Sequence, residues 1–163
     1  MKQETLSKLD TIFAKHQKTK DAALEAKKKG EDTATSFLKA FLEKREKVIR
    51  PAMEAVGEYV KGKGYAYQVS TEDDRPSPDG RGRHTPASIR LTIFLENGRG
   101  QLHEHPGYSV ICEKAQQKVR FHENTTSLGR GGHSGPAGES KLEDVTSDTL
   151  QAGILKVIEE VFR

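Results

Sequence analysis

At Gly62–Gly64 the chain changes the period at which its apolar residues recur, and that change decides the fold class. Before it, Ala34, Leu38, Phe41, Val48, Ala52, Ala55 and Tyr59 follow helical steps of four and three, with Arg45 as the polar member of the series. Such a series is the seam of a coiled-coil-like helix. Phe37, Leu42, Ile49, Met53, Val56 and Val60 widen the seam, so this helix should meet more than one neighbour. After the glycines the period is two. Tyr65, Tyr67 and Val69 alternate with Ala66, Gln68 and Ser70, and Ile89, Leu91, Ile93 and Leu95 alternate with Arg90, Thr92, Phe94 and Glu96. Alternation of this kind marks half-buried strands. Helices first and strands afterwards make an α+β chain, since α/β folds interleave the two.

The remaining elements follow from caps and turns. Residues 4–28 read as a first helix with Leu6, Leu9, Ile12 and Phe13 on one stripe. Gly30 is its expected stop, with Lys27, Lys28 and Lys29 against the negative end of the helix dipole. Asp32 or Thr33 would cap the second helix, and Pro51 should interrupt it near Arg50. Residues 108–114 and 117–123 read as a hairpin turning at Ala115–Gln116, which pairs His122 with Ser109 and Cys112 with Val119. Asn97–Gly98 is a strong turn signal. Residues 72–86 and 125–141 read as long loops, rich in proline and glycine. Thr146 should cap a last helix to Phe162, with Val145 and Leu150 as a hydrophobic staple.

The expected order is therefore α-α-β-β-β-β-α. Two long N-terminal helices (1–63) form a helical hairpin or coiled-coil-like arm. A four-stranded antiparallel sheet with a C-terminal helix packed on it (64–163) completes what should be one structural domain. Helices of about 25–30 residues span roughly 40 Å, more than such a sheet covers. They should protrude or dimerise.

Charge and cysteine content narrow the chemistry. Only 33% of the residues are hydrophobic, which is lean for a compact body and suits an exposed helical extension. Residues 1–63 hold 15 Lys and Arg against 10 Asp and Glu, while residues 64–163 hold 12 against 14. The basic residues of the first helix (Lys15, Lys18, Lys20, Lys27–Lys29) alternate with Asp21 and Glu25, and no aromatic residues interleave to stack bases. Weak nucleic-acid binding through this helix is the third-ranked role. Cys112 is the sole cysteine, so no internal disulfide or cysteine-based zinc site can form. The first fifteen residues carry no apolar run of leader type, and no stretch has the ~18–20 apolar residues of a membrane span. A cytoplasmic location without membrane contact is expected.

The stretch SLGRGGHSGPAGE, residues 127–139, lacks the Gly-Lys-Ser/Thr ending of a phosphate loop. Arg130, Gly131, Gly132 and His133 could still form an anion nest there. His103 and His105 lie on one side of an expected extended segment and would begin a metal site, but a third ligand is missing. His122 would sit about 13 Å away at ~3.3 Å per residue. Cys112 falls on the core face of its strand, and no G-x-S-x-G elbow is present.

The apolar surplus of the N-terminal helices is the strongest signal. Leu9, Phe13, Phe37, Leu38, Phe41 and Leu42 are the candidate partner-binding residues. The leading reading is a non-enzymatic binding or assembly module, without cofactor, that forms a homodimer through its N-terminal helices and leaves room for another protein partner. The alternative is a small-ligand or metal-binding protein, or an enzyme, with its site under loops 72–86 and 125–141.

Overall fold

The structure is a computed structural model that describes residues 2–77, 80–95, 101–127 and 131–163. The fold is α+β, as the change of period predicts. Three elements in line form its N-terminal rod: α1 (Gln3–Lys44), a π turn (Arg45–Ile49) and α2 (Arg50–Gly62). The five strands described are β1 (Ala66–Glu72), β2 (Ser88–Phe94), β3 (Gly107–Glu113), β4 (Lys118–Asn124) and β5 (Ser134–Ser140). They run as an antiparallel meander in the order β1-β2-β3-β4-β5. The final helix is α3 (Ser147–Val161).

Two expectations are corrected. The N-terminal region is one long helix and not a hairpin of two, because Gly30 does not stop it. A lone glycine inside a helix costs about 1 kcal/mol, less than the neighbouring formers supply. Thr33, expected to cap a new helix, instead donates from Oγ1 to the carbonyl of Lys29 at 2.7 Å, and Thr35 does the same to Glu31 at 2.9 Å. The second correction is the sheet, which has five strands among the described residues and not four. β5 occupies part of the expected 125–141 loop. It is an edge strand, where Pro136 can lack its donor without breaking a ladder. Its register slips between Phe121 and His122, so that Ala137 has no opposite residue.

The irregularity expected at Pro51 takes the form of the π turn. Proline has no N–H and its ring crowds the carbonyl four residues back. Widening the preceding turn relieves both: the Arg50 N–H donates to the Arg45 carbonyl, five residues away, and Pro51 enters the first turn of α2. The helix continues with αR backbone throughout.

The core lies between one face of the sheet and the two helices across it. α2 lies on β1 and β2, and α3 on β3 and α2. Ile89, Leu91, Val110, Cys112 and Val119 point from the sheet, meeting Ile49 and Met53 from the rod and Leu150, Ile154 and Val157 from α3. β3 and β4 pair as the spacing predicts, with Ser109 opposite His122 and Cys112 opposite Val119. Gly57 is required where α2 meets β1: a Cβ there would lie 2.3 Å from the Tyr67 ring. The Tyr67 hydroxyl reaches across α2 to the carboxylates of Glu54 and Glu58, at 2.6 Å each. Thr146 caps α3 as expected, accepting from the Thr149 N–H at 3.2 Å, and Val145 and Leu150 are fully buried beside it. The Asn97–Gly98 turn lies outside the described residues.

Candidate functional site

Two questions about the site follow from the rod: how far it leaves the body, and what its exposed end can do. Every residue from Lys2 to Asp32 is exposed. At about 1.5 Å per residue, this arm projects roughly 45 Å. Propensity and local bonds sustain it, including Lys8–Glu4 at 3.3 Å and Gln17 Nε2 donating to Asp21 at 3.0 Å. An exposed helix should carry a polar face all round. The middle of the arm has one large apolar side chain, Leu24 at 58% exposure, whereas the end has a group of four. Leu6, Leu9, Ile12 and Phe13 are 44%, 37%, 60% and 67% exposed and sit within eight residues.

The six candidate partner-binding residues thus divide. Leu9 and Phe13 lie on the exposed end. Phe41 is fully buried in its own chain, and Phe37, Leu38 and Leu42 are half-buried against the same core. These four therefore pack within their own chain, in the cluster that also holds Ile49, Met53 and Val145.

Arg45, the polar member of the helical seam, anchors the arm. It stands in the π turn with its side chain 10% exposed. Its Nη1 donates to the carbonyls of Glu72 and Ser88 at 3.1 and 3.4 Å, and its Nη2 to Asp73 at 3.3 Å. The guanidinium fork therefore ties the rod to the end of β1 and the start of β2. The signal for this was present in the sequence, since an arginine inside an apolar seam needs acceptors at the same depth. The acceptors, two strand-end carbonyls, were not legible.

The expected histidine pair is separated. Leu102–Glu104 forms a 3-10 turn and not an extended segment, so His103 is exposed while His105 is buried with its ring edge-on to Phe94. Asn124 Nδ2 donates to the carbonyls of both histidines at 2.9 and 3.0 Å, and Arg90 Nη2 donates to those of Leu102 and His105 at 3.1 Å. These bonds hold the backbone of the turn inward. Among the described residues no group of three His, Cys, Asp or Glu could hold a metal ion.

At the glycine-rich stretch, Arg130 lies outside the described residues. Gly131 forms an isolated bridge with Ser127, and a Cβ on Gly132 would lie 2.5 Å from the Thr125 carbonyl. His133 meets carboxylates: its Nε2 is 3.0 Å from Glu123 and its Nδ1 3.6 Å from Glu160. That is a cation site already served by two acids and an unfavourable place for an anion. Glu123, His133 and Thr125 have the types of an acid–base–hydroxyl triad, with Thr125 Oγ1 3.1 Å from Nδ1. Yet Thr125 is buried, and its hydroxyl accepts from the His133 backbone N–H at 3.1 Å. The group locks the loop to β4.

Loop 72–86 is held the same way. Asp74 receives hydrogen bonds from His84 and from Lys114 Nζ, the latter at 2.7 Å. Burial pushes its carboxyl up, but these two partners outweigh burial and hold it below the usual carboxylate range. The nearby Cys112 thiol is pushed up to about 12 by burial, so it stays protonated and inert.

The two histidines beside β4 should titrate in opposite directions. The Glu123 hydrogen bond raises the pKa of His133, whereas burial first, then Arg90 and Arg120, lower that of His122. A raised histidine favours the folded state below its unfolded pKa, and that contribution is lost as pH rises through the folded value. The lowered His122 has the opposite sign. It costs stability as pH falls below its unfolded pKa. NMR titration should place His133 above and His122 below the ordinary histidine midpoint, and Glu123→Gln should bring His133 back down. The reverse order would show that the His133–Glu123 bond does not persist in solution.

Comparisons with protein-family models, with curated proteins and with solved structures each found no match for this chain. No helix among the described residues is long and apolar enough to cross a membrane.

Proposed function

We propose that the protein is a non-enzymatic assembly module that binds a second copy of itself through its N-terminal arm. The observation that carries this reading is the cluster of Leu6, Leu9, Ile12 and Phe13 at the free end of an exposed arm whose one other large apolar side chain, Leu24, stands alone. Apolar side chains grouped on an exposed surface mark an interaction site, whereas scattered ones need no explanation. The polar clusters support the same reading from the other side. Asp74 pairs with His84 and Lys114, and His133 pairs with Glu123 and Glu160, so each set is engaged in fastening its own segment. The lysines of the arm sit among Asp21, Glu25, Glu31 and Asp32 and without aromatic neighbours, which suits a solvated face more than a nucleic-acid surface.

The test is mass in solution. At tens of micromolar the wild-type chain should run at twice 18.1 kDa by light scattering. Phe13→Asp should weaken association at least tenfold, about 1.4 kcal/mol or more, and leave the far-UV spectrum unchanged. A wild-type mass of 18.1 kDa across that range would reject the proposal.

A further inference from the structure

A second exposed apolar surface lies on the body. α2 and α3 pack side by side and leave a groove of about 500 Å³ between them. Its α2 wall runs from Ala55 to Lys63 and its α3 wall from Gln151 to Phe162, roughly 12 and 16 Å at about 1.5 Å per residue. Tyr59, Leu155 and Phe162 are 68%, 53% and 44% exposed along it. Tyr65 closes one end, its ring edge-on to Phe162 at 5.0 Å. Lys63 is the single charged side chain among the described residues lining it, and its Nζ lies 5.3 Å from the Tyr59 ring centre.

We infer that this groove receives the end of the arm of a second copy, reciprocally, so that each chain fills the groove of the other. The inference rests on the proposed self-association and adds the surface the arm meets. Leu6, Leu9 and Phe13 stand at i, i+3 and i+7, the spacing by which an amphipathic helix anchors in a groove. They extend over about 10 Å of helix, which fits walls of 12–16 Å. Asp10, between them on the same face, is the one charge in that stripe and matches the one charge of the groove, Lys63. A chain cannot fill its own groove: Leu9 and Tyr59 stand on the same rod, roughly 75 Å apart along its axis at about 1.5 Å per residue.

The two contacts of a reciprocal pair together reach the area of a stable dimer. At roughly 200 Å² for a large apolar side chain, the exposed parts of Leu6, Leu9 and Phe13 and of the three groove residues amount to about 630 Å². Two such contacts bury about 1,250 Å², at the lower end of the range of stable interfaces of ~1,200–2,000 Å². A two-fold pair makes both contacts at once, since what one chain offers the other accepts.

Four samples at equal total concentration test this by sedimentation velocity: wild type, Phe13→Asp, Leu155→Asp, and an equal mixture of the two variants. Leu155 is half exposed, so its variant should keep the native circular dichroism spectrum. Reciprocal docking predicts that each variant alone loses dimer affinity at least tenfold. It also predicts that the mixture associates more strongly than either variant alone but less than wild type, because the mixed dimer keeps one sound arm-to-groove contact where each variant dimer keeps none. A Leu155→Asp chain that dimerises like wild type while Phe13→Asp does not would overturn the groove and leave arm-mediated association standing. Loss in both variants without recovery in the mixture would overturn the arm-to-groove contact. A monomeric wild type would overturn both proposals. Lys63→Glu should weaken the dimer and Asp10→Lys added to it should restore it; failure of that rescue would remove the charge pairing.

Discussion

Phe41→Ala should lower the free energy of unfolding by about 3–5 kcal/mol, the usual cost of truncating a buried aromatic side chain. Phe41 is fully buried where α1 reaches the body, in the same cluster as Ile49, Met53 and Val145. Its ring is flanked by the half-buried Phe37, Leu38 and Leu42, which can collapse only partly into the space because the helix backbone fixes their positions. A domain of ordinary stability holds about 5–15 kcal/mol, so this one change removes a large share. Phe13→Ala on the same helix is the control. Its ring is 67% exposed, and truncation at concentrations too low for association should move stability by less than ~0.5 kcal/mol. Urea unfolding checks both. A shift below 1 kcal/mol for Phe41→Ala would mean that the helix does not pack on the sheet at that turn.

The second large effect belongs to Arg45. Arg45→Ala should cost about 2–3 kcal/mol. The loss comes from the carbonyls of Glu72 and Ser88, which then lack the charged donor that Arg45, itself 10% exposed, brings to them. The ion pair with Asp73 contributes little, because that side chain is 81% exposed and water screens it. Asp73→Asn should therefore cost less than ~0.5 kcal/mol. Arg45→Lys should recover only part of the loss, since an ammonium cannot present a planar fork to two carbonyls and a carboxylate together. Were Asp73→Asn as damaging as Arg45→Ala, the surface ion pair and not the strand-end carbonyls would hold the arm.

What the sequence made legible follows from how local each signal is. The change of period at Gly62–Gly64, the Thr146 cap and the pairing of Cys112 with Val119 are all short-range patterns, and the fold contains them. β5 was hidden because an edge strand needs only backbone groups on one side and little side-chain burial, so Gly135, Pro136 and Gly138 are admissible there. Gly30 misled for a related reason. Its cost is real but small, and a helix already running on both sides absorbs it. The site was half legible. The apolar end of the arm could be read from Leu6, Leu9, Ile12 and Phe13, but Phe41 joins a core built with Val145 and Leu150, about a hundred positions away, so it could not be assigned to that core in advance. The groove between α2 and α3 joins residues about a hundred positions apart, and nothing in either segment alone announces it.

The unbroken rod has a mechanical corollary. Arm and body share one ladder of backbone hydrogen bonds, interrupted in its regular step only at the π turn over Arg45–Ile49. Whatever takes hold of the far end therefore grips a lever whose fulcrum is that turn. For a lever of roughly 63 Å (the 42 residues of α1 at about 1.5 Å), a tilt of about 5° at the root sweeps the free end through ~5 Å. Small adjustments at the fulcrum thus become displacements as wide as a side chain at the other extremity.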